Sequence, residues 1–243
     1  MKTFIFLIIV LVAGALAGLV HGSANLVLVE PYLDEAIGIE NQNLFDSGEE
    51  DDTLEFWVEY EGYRDWQKGG QLLAGVILGT SMGALFGIVF AYSRKILPGQ
   101  HHVKKTLVLA GIMWLTIYLI PFLKYPANPP TVGDGETVVL RATLYLAFIA
   151  ISGFSVIGFY QLSKKFQGRK KFVAIIGYAA FMTAMFVVMP PNPDEITAPM
   201  ELVNGFRVMS VIGVSVFWIA LGIILGLFWQ KIQPDKPIQT RTN

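Results

Sequence analysis

Long apolar runs alternate with short polar segments along this chain. Six runs are nearly free of charge, at residues 4–29, 69–93, 106–123, 142–163, 172–189 and 208–230. A helix needs roughly 20 apolar residues to cross the ~30 Å hydrocarbon core of a bilayer, and each run meets or approaches that length. Inside the runs, apolar residues follow one another instead of alternating with polar ones. A membrane strand would alternate, so the pattern predicts helices, whose backbone groups satisfy one another within lipid. The expected fold is an all-α integral membrane protein. It is a bundle of six transmembrane helices in a single transmembrane domain over residues 1–243, with an acidic outer loop at 30–68.

Composition sharpens this picture. The 243 residues are 53% hydrophobic and 15% charged, where a soluble domain carries about a quarter charged residues. There is no cysteine, which removes disulfides, thiolate metal sites and cysteine nucleophiles. The net charge of -1 says little, because the information lies in its distribution.

The segments between the runs alternate in sign. The first, 30–68, holds thirteen acids and only two bases, Arg64 and Lys68. The second carries Arg94, Lys95, Lys104 and Lys105, and the fourth Lys164, Lys165, Arg169, Lys170 and Lys171 without an acid. The third and fifth hold Asp134 with Glu136, and Asp194 with Glu195 and Glu201. Lysine and arginine accumulate in short cytoplasmic loops. With both termini cytoplasmic, the even loops and the termini hold 13 of the 18 bases, and the odd loops hold 18 of the 19 acids. The expected location is therefore the cytoplasmic membrane, crossed several times. A cleaved signal peptide is the rival reading of the N-terminus, since Lys2 and an apolar run precede His21-Gly22-Ser23-Ala24. The run from Phe4 to Val20 exceeds the usual 7–15 residues, so a retained span is expected.

Glycines recur every fourth residue in the first two runs: Gly14, Gly18 and Gly22, then Gly75, Gly79, Gly83 and Gly87. Such a series makes a groove along one helix face in which a second backbone can lie. The two series are expected to pack together as an antiparallel hairpin. Gly222 and Gly226 form a weaker pair in the last run. A faint repeat also joins the third and fifth loops. Each has a Pro-Asn-Pro element that closes one helix, then an acid and a base that open the next: Glu136 with Arg141, and Glu201 with Arg207. Three helix-hairpin repeats are one reading; the general preference of proline and asparagine for membrane-edge turns is the other.

Candidate chemistry is sparse. His21 lies inside the first run, and Gly18, His21, Gly22 and Asn25 share one helix face through their i, i+3, i+4, i+7 spacing. That face carries the glycines, so it should look into the bundle, where a polar side chain marks function or an interhelical hydrogen bond. Imidazole with amide and carboxylate oxygens suits borderline divalent metals. His21, Asn25 and Glu30 therefore form a candidate cation intake site. Arg141 and Arg207 are expected to pair with their own acids or to snorkel, with pairing to the outer carboxylates near a substrate path as the alternative. In 121–130, the prolines free backbone carbonyls, which with Asn128 could line a cation path, although prolines also simply end helices. His101, His102 and the acidic run 49–52 read as solvated loops, although the acids could also concentrate cations. No phosphate-binding loop, dinucleotide fingerprint, H-E-x-x-H or G-x-S-x-G motif occurs. No enzyme, bound cofactor or nucleic-acid partner is expected.

His21-Gly22 with Asn25, Glu30-Pro31, the string Pro121-Phe-Leu-Lys-Tyr-Pro-Ala-Asn-Pro-Pro130, Val132-Gly133-Asp134, Glu136-Thr137, Arg141, Pro190-Pro-Asn-Pro193 and Arg207 together resemble the CbtA family of probable cobalt transporter subunits. The resemblance spans nearly the whole chain. It departs at Gly135, where a proline is expected, and in span number, which the family description puts at five. It implies cobalt uptake linked to cobalamin supply, with transported Co2+ as cargo and a small histidine-bearing membrane partner, CbtB. It also marks Lys124, Asn128, Asp134, Glu136, Arg141, Asn192 and Arg207 as polar positions near the outer face. The alternative function is a non-transporting scaffold or assembly subunit of a larger membrane complex.

Overall fold

The computed structural model describes residues 3–130, 132–168 and 172–234. Lys2, Arg169, Lys170, Lys171, Lys236 and Arg241, which enter the charge argument, lie outside the described residues. All regular structure among the described residues is helical. The helices are α1 (Thr3–Leu28), α2 (Glu30–Ser47), α3 (Leu54–Ser93), α4 (His102–Met113), α5 (Ile120–Lys124), α6 (Val138–Ser163), α7 (Phe172–Val188) and α8 (Met200–Ile232). A π-helical segment, Trp114–Leu119, joins α4 to α5, so His102–Lys124 runs as one rod. This rod and α1, α3, α8 and the segment Gly135–Ser163 are long and apolar enough to cross a membrane. The sixth apolar helix, α7, has 17 residues.

The segment expected as an acidic loop is a helical hairpin instead. Pro31, near the start of α2, cannot donate to the preceding turn and crowds it, which sets the break at Val29 between α1 and α2. Gly48 closes α2 at φ 73°, where a side chain would be strained, and its N–H and that of Glu49 bond back to Phe45 and Leu44. Thr53 then caps α3 by accepting from the Phe56 N–H at 3.2 Å. Phe45 lies 5.0 Å from Phe56 and 5.9 Å from Trp57, ring to ring, which seals the hairpin tip. At 1.5 Å per residue, a helix of 40 residues is roughly 60 Å long, twice the bilayer core. The charged first third of α3 therefore extends beyond any span. Only Gly48–Thr53 remains non-helical, and its acids stay exposed as expected.

The chain divides into two compact units, residues 1–111 with 208–243, and residues 112–207. In the first unit, the glycine series of α1 and α3 meet as their spacing predicts. A Cβ on Gly18 would strike the Gly75 carbonyl, and one on Gly83 would lie 2.6 Å from Gly14 Cα. Gly222 and Gly226 of α8 face α4: Cβ atoms there would meet Ala110 at 3.2 Å and Val103 Cα at 2.6 Å. The Thr106 hydroxyl donates to the Gly222 carbonyl at 2.6 Å. Trp229 is fully buried and edge-on to Phe90 and Phe6. His102, expected in a solvated loop, is half-buried beside Phe90 and Trp229 because α4 begins there; His101 is exposed.

The second unit is organised around the π-helical segment. Ile120 N–H bonds to Leu115, five residues back. In that register the Thr116 carbonyl needs the N–H of residue 121, and Pro121 has none. The fully buried Ser152 of α6 supplies the missing donor through its hydroxyl. The Tyr178 hydroxyl of α7 lies 2.8 Å from Ser152 Oγ and donates to it, because the single Ser152 proton is already used. Ser152→Ala leaves a buried carbonyl orphaned and is expected to cost about 1–3 kcal/mol. Thermal unfolding in detergent checks this, with Tyr178→Phe expected to cost less.

Candidate functional site

His21 sits on α1 one turn before Asn25, and both side chains turn toward α8. Nδ1 of His21 lies 3.0 Å from the Gly213 carbonyl, which can only accept, so Nδ1 carries the proton. The Asn25 amide nitrogen lies 3.3 Å from Nε2 and donates to its lone pair. These donors and acceptors assign a neutral imidazole with the proton on Nδ1. Phe217, one turn along α8, holds the ring edge-on at 5.8 Å. Gly213 is needed here: a Cβ would strike the Asn25 carboxamide oxygen. That oxygen is itself buried and has no hydrogen-bond partner.

Glu30 behaves differently. It is 5% exposed at the start of α2, and its carboxylate forms an ion pair with Arg64 of α3. Arg64 also donates to Asp34 at 2.7 Å and to Gln67 at 2.6 Å. Lys68 reaches Asp34 at 3.1 Å, and Gln71 reaches Glu30 at 3.4 Å. Burial alone would raise the Asp34 pKa, but the hydrogen bonds from Arg64 and Lys68 outweigh it and hold the carboxyl below its usual 3.8. The Gln71 amide oxygen is buried without a partner. His21 and Asn25 are thus brought together, while Glu30 is committed to Arg64. Among the described residues, no three His, Asp or Glu side chains are grouped to hold a metal ion. Gly213 and Gln71 were not singled out from sequence. Neither sits in a motif, and their proximity to α1 is set by packing.

In the other unit, the two proline loops brace each other. Arg141 and Arg207 do not pair with Glu136 and Glu201, both of which are exposed. Arg141 Nε lies 2.8 Å from Asp194 of the later loop, as an ion pair without the alignment of a hydrogen bond. Its guanidinium also donates to the Asp134 carbonyl at 2.9 Å. The Asp194 side chain, 4% exposed, accepts from the Thr137 hydroxyl at 2.7 Å. Gly133, at φ 109°, leaves the room in which this pair meets. Asp134 caps the short turn ahead of α6 by accepting from Glu136 N–H at 2.9 Å, and Asn192 similarly accepts from Asp194 N–H at 3.2 Å. Arg207 donates to Asn128 at 2.7 Å and to the Ala127 carbonyl at 3.3 Å. The Tyr125 hydroxyl donates to the Pro190 carbonyl at 2.7 Å, and Lys124 lies 5.0 Å over the Phe186 ring. A carbonyl and an amide expected to line a cation path thus hold Arg207 instead. Each base passes over its own acid because the opposite loop places a better acceptor against it. Asp194 was counted from sequence only as loop charge.

The family model described as "Probable cobalt transporter subunit (CbtA)" matches residues 4–230. The chain belongs to the CbtA family. No curated protein and no solved structure matches it. Five helices long and apolar enough to cross a membrane fit a multi-pass membrane protein, in keeping with a family of probable transporter subunits. The candidate residues read from the sequence fall in the two regions described above. His21, Asn25 and Glu30 lie in the first unit, and Lys124 through Arg141, Asn192 and Arg207 lie in the second.

Proposed function

We propose that this chain is the membrane subunit of a divalent-cation uptake transporter with Co2+ as cargo, and that His21 and Asn25 line the cation path. The observation that carries the reading is the fixed imidazole. With Nδ1–H held by the Gly213 carbonyl, the lone pair of Nε2 is aimed at Asn25, beside a carboxamide oxygen that has no partner. A backbone acceptor on one ring nitrogen is the usual way to fix the other as a metal ligand. One nitrogen and neutral oxygens bind a borderline cation weakly, and a transit site must release its cargo as readily as it takes it. The acids of the α2–α3 hairpin would raise the local cation concentration. The charge pattern favours an acidic outer face and cytoplasmic termini, in the cytoplasmic membrane. A small histidine-bearing partner of the CbtB kind would complete the ligand set.

The test is cobalt-57 uptake into cells or proteoliposomes that hold this chain, alone and with such a partner. Uptake competed by excess unlabelled cobalt is expected to fall at least tenfold in His21→Ala. It should also fall in Gly213→Ala, whose methyl would displace the Asn25 oxygen. Unchanged uptake in a folded His21→Ala protein would remove the path from His21. No uptake by the inserted wild type in either setting would favour the scaffold role.

A further inference from the structure

No acid occurs between Glu136 and Asp194 in the sequence, yet the end of α6 carries Lys164 and Lys165. Neither lysine has an acidic partner among the described residues. Both are exposed, and Lys164 Nζ lies 4.7 Å over the Tyr160 ring. The two lysines, Gln161, Leu162 and Gly158 line a concavity of about 530 Å³. Gly158 helps to open it, since a Cβ there would touch nothing within 4 Å. One turn further from the charges, Phe154 and Ile157 are exposed, at 74% and 54%. Of the five membrane-crossing helices, the one ending here is the least enclosed, with 11% of its apolar window buried against 28–39% for the others.

Cations without an acidic partner among the described residues, a hollow beside them and an apolar helix face leading away together match one kind of molecule. We propose that this end of α6 binds an anionic phospholipid, its phosphate between Lys164, Lys165 and Gln161 and an acyl chain along Gly158, Ile157 and Phe154. Lysines near a membrane surface attract anionic headgroups, and the concavity converts that general attraction into a place. The inference stands independently of His21.

The experiment is native mass spectrometry of the detergent-purified chain. It is titrated with phosphatidylglycerol, with phosphatidylcholine of the same acyl chains, and with inorganic phosphate. Phosphatidylglycerol is expected to be retained about tenfold more tightly than phosphatidylcholine, and inorganic phosphate neither to bind nor to compete. Lys164→Gln with Lys165→Gln should lose that preference, and Gly158→Leu should weaken retention by filling the hollow while keeping the charge. Lys95→Gln with Lys104→Gln, in another basic loop, should keep it. Equal retention of the two lipids, an equal loss in the Lys95 and Lys104 variant, or binding of phosphate in place of lipid would overturn the proposal.

Discussion

Gly18→Leu is expected to prevent α1 and α3 from packing and to leave little monodisperse protein after detergent extraction. The backbones meet at Gly14, Gly18 and Gly22 of α1 and at Gly75, Gly79 and Gly83 of α3, while Gly87 faces the Val10 side chain. A Cβ at Gly18 would strike the Gly75 carbonyl and lie 3.0 Å from Gly79 Cα, and one at Gly79 would lie 2.7 Å from Gly18 N. The obstructing atoms are backbone, so no rotamer change relieves the clash, and the helices must separate. Overpacking in a core costs about 1–3 kcal/mol and more where nothing can yield, which puts leucine here at on the order of 3 kcal/mol or above. The effect should be local to the ladder. Gly111 lies in α4 with nothing within 4 Å of an added Cβ, so Gly111→Ala should melt as the wild type does or slightly higher. Size-exclusion profiles and thermal melts of the two variants side by side check this. Equal behaviour would mean that the ladder does not hold α1 on α3.

That ladder was legible in the sequence because its information is local. A four-residue glycine period defines a face on each helix without knowledge of the partner. The apolar runs were legible for the same reason, and most of their helices begin and end within a few residues of the runs. However, α3 starts at Leu54 and α8 at Met200, well ahead of the runs at 69 and 208. The acidic hairpin was not legible. High charge reads as solvated loop, and the apolar residues that pin α2 to α3, Phe45 with Phe56 and Trp57, lie on either side of the turn. The π-helical segment was hidden too. Pro121 announces a missing donor, but only the fold shows that Ser152, 36 positions away from Thr116, replaces it.

The candidate site divides along the same line. His21 and Asn25 are four residues apart on one helix, so their pairing follows from helix periodicity, and the structure brings them together. Their partners on α8 could not be named, because the contact between His21 and Gly213 depends on a packing angle and not on spacing. The arginines show the converse. Local spacing suggested Arg141 with Glu136 and Arg207 with Glu201, but the facing loops offer Asp194 and Asn128, which are less exposed than those two acids. An exposed pair contributes little, so little holds either arginine on its own exposed acid.

Arg64→Ala should be the costliest single change outside the glycine ladder. Arg64 is 7% exposed and Glu30 5%, and the guanidinium also serves Asp34 and Gln67. Without it, the buried Glu30 carboxylate keeps, among the described residues, the long contact from Gln71 at 3.4 Å. Breaking a buried pair by removing one partner costs about 3–5 kcal/mol, because the remaining charge stays desolvated. Arg64→Lys should rescue only part of the loss, since one ammonium cannot reproduce the forked contacts to two carboxylates. Glu30→Gln combined with Arg64→Met should be milder than Arg64→Ala alone, because no buried charge is left unpaired; a double-mutant cycle by thermal unfolding measures the difference. The network also has a pH signature. The Asp34 carboxyl, whose pKa burial would raise, is held below 3.8 by Arg64 and Lys68. A depressed carboxyl contributes stability that is complete above its unfolded pKa and lost as pH falls through the lower folded value. Wild-type stability should therefore drop as pH falls below about 4, and Asp34→Asn should show a smaller drop. The same drop in Asp34→Asn as in wild type would place the acid sensitivity on other carboxylates and detach Asp34 from the hold that Arg64 exerts on α2.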